Sequence, residues 1–568
     1  MLKAGLILNN DFDEDAVLAA KQATASEHGR AQMLKGSAWM TIGSILSRIL
    51  GALYIIPWRL IFGASLFPIA NSLYTQGYNI YSFVLIVAIA GIPSAIAKQV
   101  AHYNALNEYQ IGVKLYQRGL MLAVGMGIIS ALILWLGAPF LTNGDANVIP
   151  VIRSLAWAVL IIPTMSLTRG FFQGYEDMAP SALSQFVEQL ARVIYMLLSA
   201  FVILRVFNGS WVTAVAQSTF AAFIGAIFGL LVLGWYYWRR HDYYQQLIAQ
   251  SSNKLSVPTR QLYREIIMQA APFVILGAGV TIFSLIDQFT FFPIMQATTK
   301  ISMQALQVNY AIFAGNANKL TMIVISLASS IAITMVPMLS AAFTRKNGQE
   351  VRYQFSNALI LFEFVMLPAA LGMAAVAGPL NRTFYGTSNM NFSSNILSFS
   401  ALQAIPVGLF VVAAALMQGV SQNKKAVKFF VIGTVVKLLT QYPLVVWMGA
   451  FGTLLSTILG FSLANYLILR VLSRQFGIET GRVVQKTAEI LLFSLVMYVV
   501  SLVGVYALNF LIGLVGNPFG SLASFFVTVV VACMGGMVYI YLTLKTHVAD
   551  EVLGQKVQRL RDGLHIKS

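Results

Sequence analysis

The feature that most constrains this chain is its succession of apolar stretches of about 20 residues, the length at which an α-helix crosses the hydrocarbon of a bilayer. They run approximately over 34–61, 72–97, 119–141, 151–172, 181–204, 211–238, 266–295, 320–343, 355–380, 396–419, 426–448, 453–472, 490–511 and 519–544, which predicts fourteen membrane-spanning helices. Only 10% of the 568 residues are charged and the mean hydropathy is +0.74. An ordinary soluble domain, about one quarter charged, is excluded. The fold class expected is an all-α polytopic membrane protein.

Charge then sets orientation. Cytoplasmic loops carry the lysine and arginine excess. With the amino terminus inside, the outer loops hold only Arg205, Lys300, Lys319 and Arg382 of the 37 basic residues. Both termini are therefore expected in the cytoplasm, and the net charge of +17 belongs to membrane topology, with no nucleic-acid partner implied. Residues 1–33 are polar, with Asp11, Asp13, Glu14 and Asp15 together, and lack the apolar middle of a signal peptide. The lone Cys533 cannot form an internal disulfide, and no metal-ligand cluster, nucleotide loop or nucleophile set is present. An enzyme is not expected, nor is a cofactor or a metal.

The chain repeats itself. Gln173 and Gly174 recur 245 residues later as Gln418 and Gly419, and Arg192 recurs as Lys437 at the same offset. Pro93 is answered by Pro337 and Pro139 by Pro379 at nearly that offset. Six spans per copy is an even number, so both copies keep one orientation and a pseudo-twofold axis lies along the membrane normal. The boundaries expected are a tail over 1–33, an N-lobe over 34–238, a basic linker over 239–265, a C-lobe over 266–474, an appended helix pair over 475–545 and a tail over 546–568. Interrupted helices are suggested by Gly91 with Pro93, by Pro163, by Gly277 with Gly279, and by Pro337 and Pro368.

Buried charges carry the functional signal. Arg48 stands mid-way along the first span, where a guanidinium costs about 2.5–3.5 kcal/mol on insertion scales. Ser44 and Ser47 precede it and Gly43 and Gly51 bracket it. Such a charge docks an anion, or else snorkels to the interface or pairs with a carboxylate elsewhere in the bundle. Arg59 anchors the outer end of that helix and joins Arg48, Ser44 and Ser47 as a candidate substrate contact. Glu188 and Arg192, four residues apart, are expected to pair along their own helix. Glu363 has no evident partner. The last two spans are nearly free of charge and suit a lipid-tail groove, plain lipid contact or an oligomer surface equally well.

SRILG from Ser47, the RLIFGAS stretch from Arg59, AIAGIPSAIAK from Ala88 and the QG before a short cytoplasmic turn resemble the MurJ family of lipid II flippases in the MOP exporter superfamily, in its Gram-positive polysaccharide-biosynthesis branch. The resemblance covers about residues 34–545 and implies a six, six and two arrangement of spans. It implies export of an undecaprenyl-pyrophosphate-linked cell-wall precursor by alternating access, with no covalent chemistry. Membrane lipids and cell-wall synthesis machinery are its implied partners, and the functional unit is expected to be a monomer.

The family's anion site also uses a cation in span eight, which brings in Lys319, whose other reading is an interfacial lysine. The chain departs from the family at Tyr54, where a second arginine is common, and in span two, which has no basic residue. Asp287 falls where the family can carry a cation-binding aspartate, yet span eleven offers Lys437 in place of a carboxylate. An Asp287–Lys437 pair, with the lysine standing in for an ion, is expected ahead of a sodium site; the coupled cation stays open. Two phosphate charges moving outward gain about 4–5 kcal/mol per 100 mV, so membrane potential alone can drive export. The alternatives are a flippase for another polyprenyl-linked glycan (teichoic acid, capsule, spore cortex) and a multidrug or cation antiporter, against which stands the lack of any acid in spans one and two.

Overall fold

The computed structural model describes residues 47, 50–51, 53–89, 91–251, 274–386, 389–514, 516–553 and 561. Among them the chain is helical with short connections and no strand. Helices α1 (Ile55–Ile89), α2 (Ile92–Ala105), α3 (Tyr109–Gly137), α4 (Val148–Gly174), α5 (Ala179–Phe201) and α6 (Trp211–Arg239) form one lobe, followed by the short α7 (His241–Ala249). Helices α8 (Gly279–Thr298), α9 (Met303–Tyr310), α10 (Asn318–Thr344), α11 (Gly348–Ala375), α12 (Ala377–Tyr385), α13 (Met390–Gly419), α14 (Asn423–Met448) and α15 (Ala450–Phe476) form the second. Helices α16 (Thr480–Gly513) and α17 (Ser521–Lys545) pack on each other and against α11 and α12, and α18 (Val548–Leu553) closes the described chain.

Twelve helices among the described residues are long and apolar enough to span a membrane. Helix α1 is not among them, and the first expected span lies largely outside the described residues, so the count of fourteen is not reached on apolarity. Helix α1 is polar because it buries Asn71, Ser72, Thr75, Gln76 and Asn79 against protein, where hydrogen bonds replace the lipid contact that apolarity serves. Its kink at Gly63 (φ 77°, ψ 168°) lies in a region open almost only to glycine. Trp58 fixes the turn by donating to Ser218 Oγ at 3.1 Å and packing on Phe62 and Phe67 at 4.5 and 5.7 Å.

The expected second and eighth spans both start too late. The second begins just after Gly63, and the eighth is one helix of 42 residues, Met303–Thr344, widened to a π-turn over Ala311–Ala317. Of the suggested interruptions, helix breaks occur at Gly91 (φ 71°) and between Gly277 and Gly279; α4, α10 and α11 run through Pro163, Pro337 and Pro368. Neighbouring helices resupply the backbone bonds that proline removes. The first part of the expected linker is a built element: Tyr244 of α7 meets Phe171 and Tyr175 edge to face at 5.6 and 5.1 Å, and Arg240 pairs with Asp177. Burial pushes the hydroxyls of Tyr175 and Tyr244 above the usual tyrosine range.

The repeat is visible in packing. Helix α4 ends at Gly174 and α13 at Gly419; α5 packs on α6 as α14 packs on α15, and α4 on α6 as α13 on α15. Asn71 donates to Asn316 Oδ1 at 2.7 Å, and these residues are 245 apart, the repeat offset itself. Two equivalent residues that touch each other must straddle the axis relating the copies.

Candidate functional site

Between the lobes lies a cavity of about 370 Å³ lined by the stretch before α1 and by α1, α5, α8, α10 and the π-turn between α9 and α10. Its charged residues are Arg192 and Lys319, and no aspartate or glutamate lines it among the described residues. Lys319 donates to Asn71 Oδ1 at 2.8 Å and faces the Tyr74 and Tyr54 rings at 4.8 and 5.9 Å. Tyr54, where the family often has arginine, therefore offers a ring face to a cation from another helix. Arg192 lies over the Tyr78 ring at 5.8 Å and, among the described residues, makes no hydrogen bond or ion pair. Tyr74 and Tyr78 stack at 5.5 Å, forming a wall that holds both cations through their π faces while leaving their N–H groups available.

Ser47 lines the cavity and donates to the Gln185 carbonyl at 3.4 Å. Arg48 and Ser44 lie outside the described residues. Arg59 is not in this cavity. It lines a second cavity, of about 400 Å³, with Tyr385, Asn389 and Ser521.

The expected Glu188–Arg192 pair does not form. Glu188 accepts from Arg169 Nη2 at 2.7 Å, and Arg169 also donates to Ser184 Oγ at 2.9 Å. Arg169, which falls within the expected fourth span, lies inside α4 and takes the carboxylate, which leaves Arg192 to line the cavity. Lys319 and Arg382, read as outer-loop residues, likewise sit within helices α10 and α12.

Asp287 and Lys437 do meet, at 2.7 Å, inside the second lobe. The Lys437 ammonium also donates to Thr457 Oγ1 at 2.7 Å, Ser456 Oγ at 3.2 Å and Gln441 Oε1 at 3.3 Å, with the Phe283 ring at 5.4 Å. Gln441 Nε2 donates to Asp287 Oδ1 and Thr290 Oγ1, each at 3.0 Å, and Ser456 bonds to Gln441. The donor set is oxygen-rich, as a hard cation would require, but its centre is filled by an ammonium with no exposed surface. No cluster of acids, histidines and cysteines suited to a metal occurs among the described residues. Glu363 makes no hydrogen bond or ion pair there.

At one end the lobes are tied together, and among the described residues the main helix–helix contacts between them run through α1. Besides Asn71–Asn316, Asn79 Nδ2 donates to Gln288 Oε1 at 3.2 Å and to Tyr310 OH at 3.1 Å. Gln288 Nε2 donates to the Gln76 carbonyl at 3.2 Å, Asn143 Nδ2 to the Gln288 carbonyl at 2.8 Å, and Gln307 Nε2 to Asp145 Oδ2 at 2.9 Å. Sequence reading passed over these amides. Their signal was available in the 245-residue offset, which pairs Asn71 with Asn316.

Two pseudo-symmetric helical lobes around a cavity make up a membrane-helix fold that solved transporter structures share. An inward-facing multidrug resistance MATE family transporter of the MOP superfamily aligns over 77% of this chain and 98% of its own, at TM-score 0.55 and 15% identity. The lipid II flippase MurJ in its inward closed conformation aligns over 88% of this chain and 98% of its own, at TM-score 0.55 and 14% identity. Residues 33–343 match the family described as polysaccharide biosynthesis protein, and residues 224–530 the family described as lipid II flippase MurJ. The lipid II flippase MurJ of Bacillus subtilis is 33% identical over 94% of this chain and 99% of its own length, and stage V sporulation protein B of the same organism 21% identical over 78% and 84%. The chain belongs to the MurJ family of multi-pass membrane transporters.

Proposed function

We propose that this chain exports lipid II, the undecaprenyl-pyrophosphate-linked peptidoglycan precursor, across the cytoplasmic membrane by alternating access. The observation that carries this reading is the acid-free cavity in which Arg192 and Lys319 present unpaired charge between the lobes of a MurJ-family chain. A pyrophosphate brings about two negative charges and many acceptor oxygens. Arginine meets phosphate with a planar fork of donors, and lysine with a point charge.

With both termini cytoplasmic, the tied end of the lobes is the outer one and the cavity is entered from the inside. Interhelical hydrogen bonds in membranes average about 0.6 kcal/mol, so a set like that between the lobes holds on the order of a few kcal/mol. That matches the roughly 4–5 kcal/mol two charges gain per 100 mV, so outward passage of the anion can open the outer end without a coupled ion. Lys437 occupies the oxygen cage as a resident cation in place of sodium. The protein acts as a monomer, and cell-wall synthesis enzymes receive its product.

The test is replacement. This gene is expected to sustain growth of cells depleted of their lipid II flippase, and Arg48→Ala is expected to abolish rescue while the protein still reaches the membrane. Rescue of a teichoic acid or capsule flippase but not of the lipid II flippase would reassign the substrate.

A further inference from the structure

We infer that the cavity around Arg59 is a second phosphate-binding station, where the pyrophosphate of the polyprenyl carrier rests after it has passed the Asn71–Asn316 contact. The inference rests on the function proposed above. The cavity is as roomy as the central one, about 400 against 370 Å³, and no aspartate or glutamate lines it. Its cation, Arg59, has no ion pair among the described residues and only a long 3.5 Å bond, from Nη2 to Ser521 Oγ. Asn389 and Asn316 add amide groups and Tyr385 a hydroxyl, which donates to the Asn316 carbonyl at 3.1 Å.

A second guanidinium reinforces the positive field. Arg382, 3% exposed, lies over the Phe519 ring at 4.8 Å, and Phe519 is itself part of the cavity wall. Arg382 Nε and Nη1 are buried without a hydrogen-bond partner. Two arginines with no acid paired to them among the described residues hold a potential that an anion relieves.

The position ties this cavity to the central one. Asn316 borders the Arg59 cavity and accepts from Asn71, which accepts in turn from Lys319 in the central cavity. One hydrogen-bonded line of three side chains thus separates the two cationic chambers. The apolar flank selects a lipid-linked phosphate over a free one. Ser521 opens α17, and beyond it Leu522, Phe525 and Phe526 are 85%, 53% and 54% exposed, a surface along which a prenyl tail can lie while its headgroup stays at Arg59.

The test is native mass spectrometry of the purified full-length chain in detergent, titrated with undecaprenyl pyrophosphate and, separately, with phosphatidylglycerol. The wild type is expected to take up two undecaprenyl pyrophosphates. Arg59→Ala is expected to lose one, weakening the second binding step about tenfold or more, the worth of a hydrogen bond to a charged group. Arg59→Lys keeps part of it, and Arg192→Ala with Lys319→Ala loses the other molecule. Unchanged uptake in Arg59→Ala overturns the second station. Equal loss of phosphatidylglycerol in that variant overturns its assignment to the carrier. A wild type that takes up no undecaprenyl pyrophosphate overturns the proposed function itself, a distinguishable result.

Discussion

Arg192 and Lys437 hold the same place in the two halves of the chain, and the two cations have opposite fates. Each is on the fifth expected span of its half, in α5 and α14, and each packs its Cβ against a glycine of the next helix, Gly225 and Gly460. Lys437 is sealed in with Asp287 and three acceptor oxygens, whereas Arg192 opens into the central cavity with a tyrosine ring as its partner. What differs is the acid. The second lobe directs Asp287 of α8 at its cation, while the first gives Glu188 to Arg169 of α4. A buried pair that is fully hydrogen-bonded is inert to ligands; a cation deprived of its acid is a binding group. The duplicated scaffold supplies one slot twice, closed on an ion pair in one half and opened onto the cavity in the other.

The comparison is broken most severely at the structural member. Lys437→Ala leaves Asp287 buried without its counter-ion and is expected to cost about 3–5 kcal/mol, seen as a lowered thermal midpoint in detergent. Replacing both partners by apolar residues of similar volume, Asp287→Leu with Lys437→Met, should recover most of that loss. A midpoint unmoved by Lys437→Ala would remove the structural half of the contrast.

The cavity member should behave the other way round. Arg192→Ala is expected to lower export about tenfold or more, from the 1.5–3 kcal/mol of a charged hydrogen bond, with the thermal midpoint nearly unchanged. Arg192→Lys should retain an intermediate rate. Export indifferent to Arg192→Ala would place the anion elsewhere.

A smaller effect is expected on the axis. Asn316→Ala removes one interlobe bond of about 0.6–1.7 kcal/mol and should shift the lobes toward opening at that end about three- to fifteenfold, and Asn71→Ala, which also removes the bond from Lys319, should shift them further. The readout is labelling from outside of a cysteine at Ser82, in the central cavity, on a Cys533→Ser background. Labelling that does not accelerate would mean this contact is not part of the closure. Least of all should change with sodium. Replacing it by choline at a clamped potential is expected to leave the export rate constant, and a sodium-dependent rate would show that Lys437 does not act as the resident cation.

Much of the architecture was legible in the chain. Hydropathy located most of the helices, and QG at Gln173 and again at Gln418 marked the two halves. The two misplaced helix starts share one cause. Hydropathy scores a residue by its affinity for lipid, and α1 and Met303–Thr344 spend Asn71, Asn79, Asn316 and Lys319 on each other and on the cavity. Lys319 was thereby read as a loop charge although it is held inside a helix by Asn71. Proline was overread as a hinge for a related reason, since neighbouring helices absorb its missing hydrogen bond.

The amino-acid sequence by itself determined the membrane class and the duplication, because apolar length and repeated spacing are properties of the linear chain. Which cation pairs with which acid was decided only by the tertiary structure. Spacing of four along a helix offered Glu188 to Arg192, but a guanidinium on another helix reached that carboxylate at 2.7 Å. Coulomb attraction depends on distance through space in a medium of low dielectric, and only the packing of α4 against α5 and α6 sets that distance.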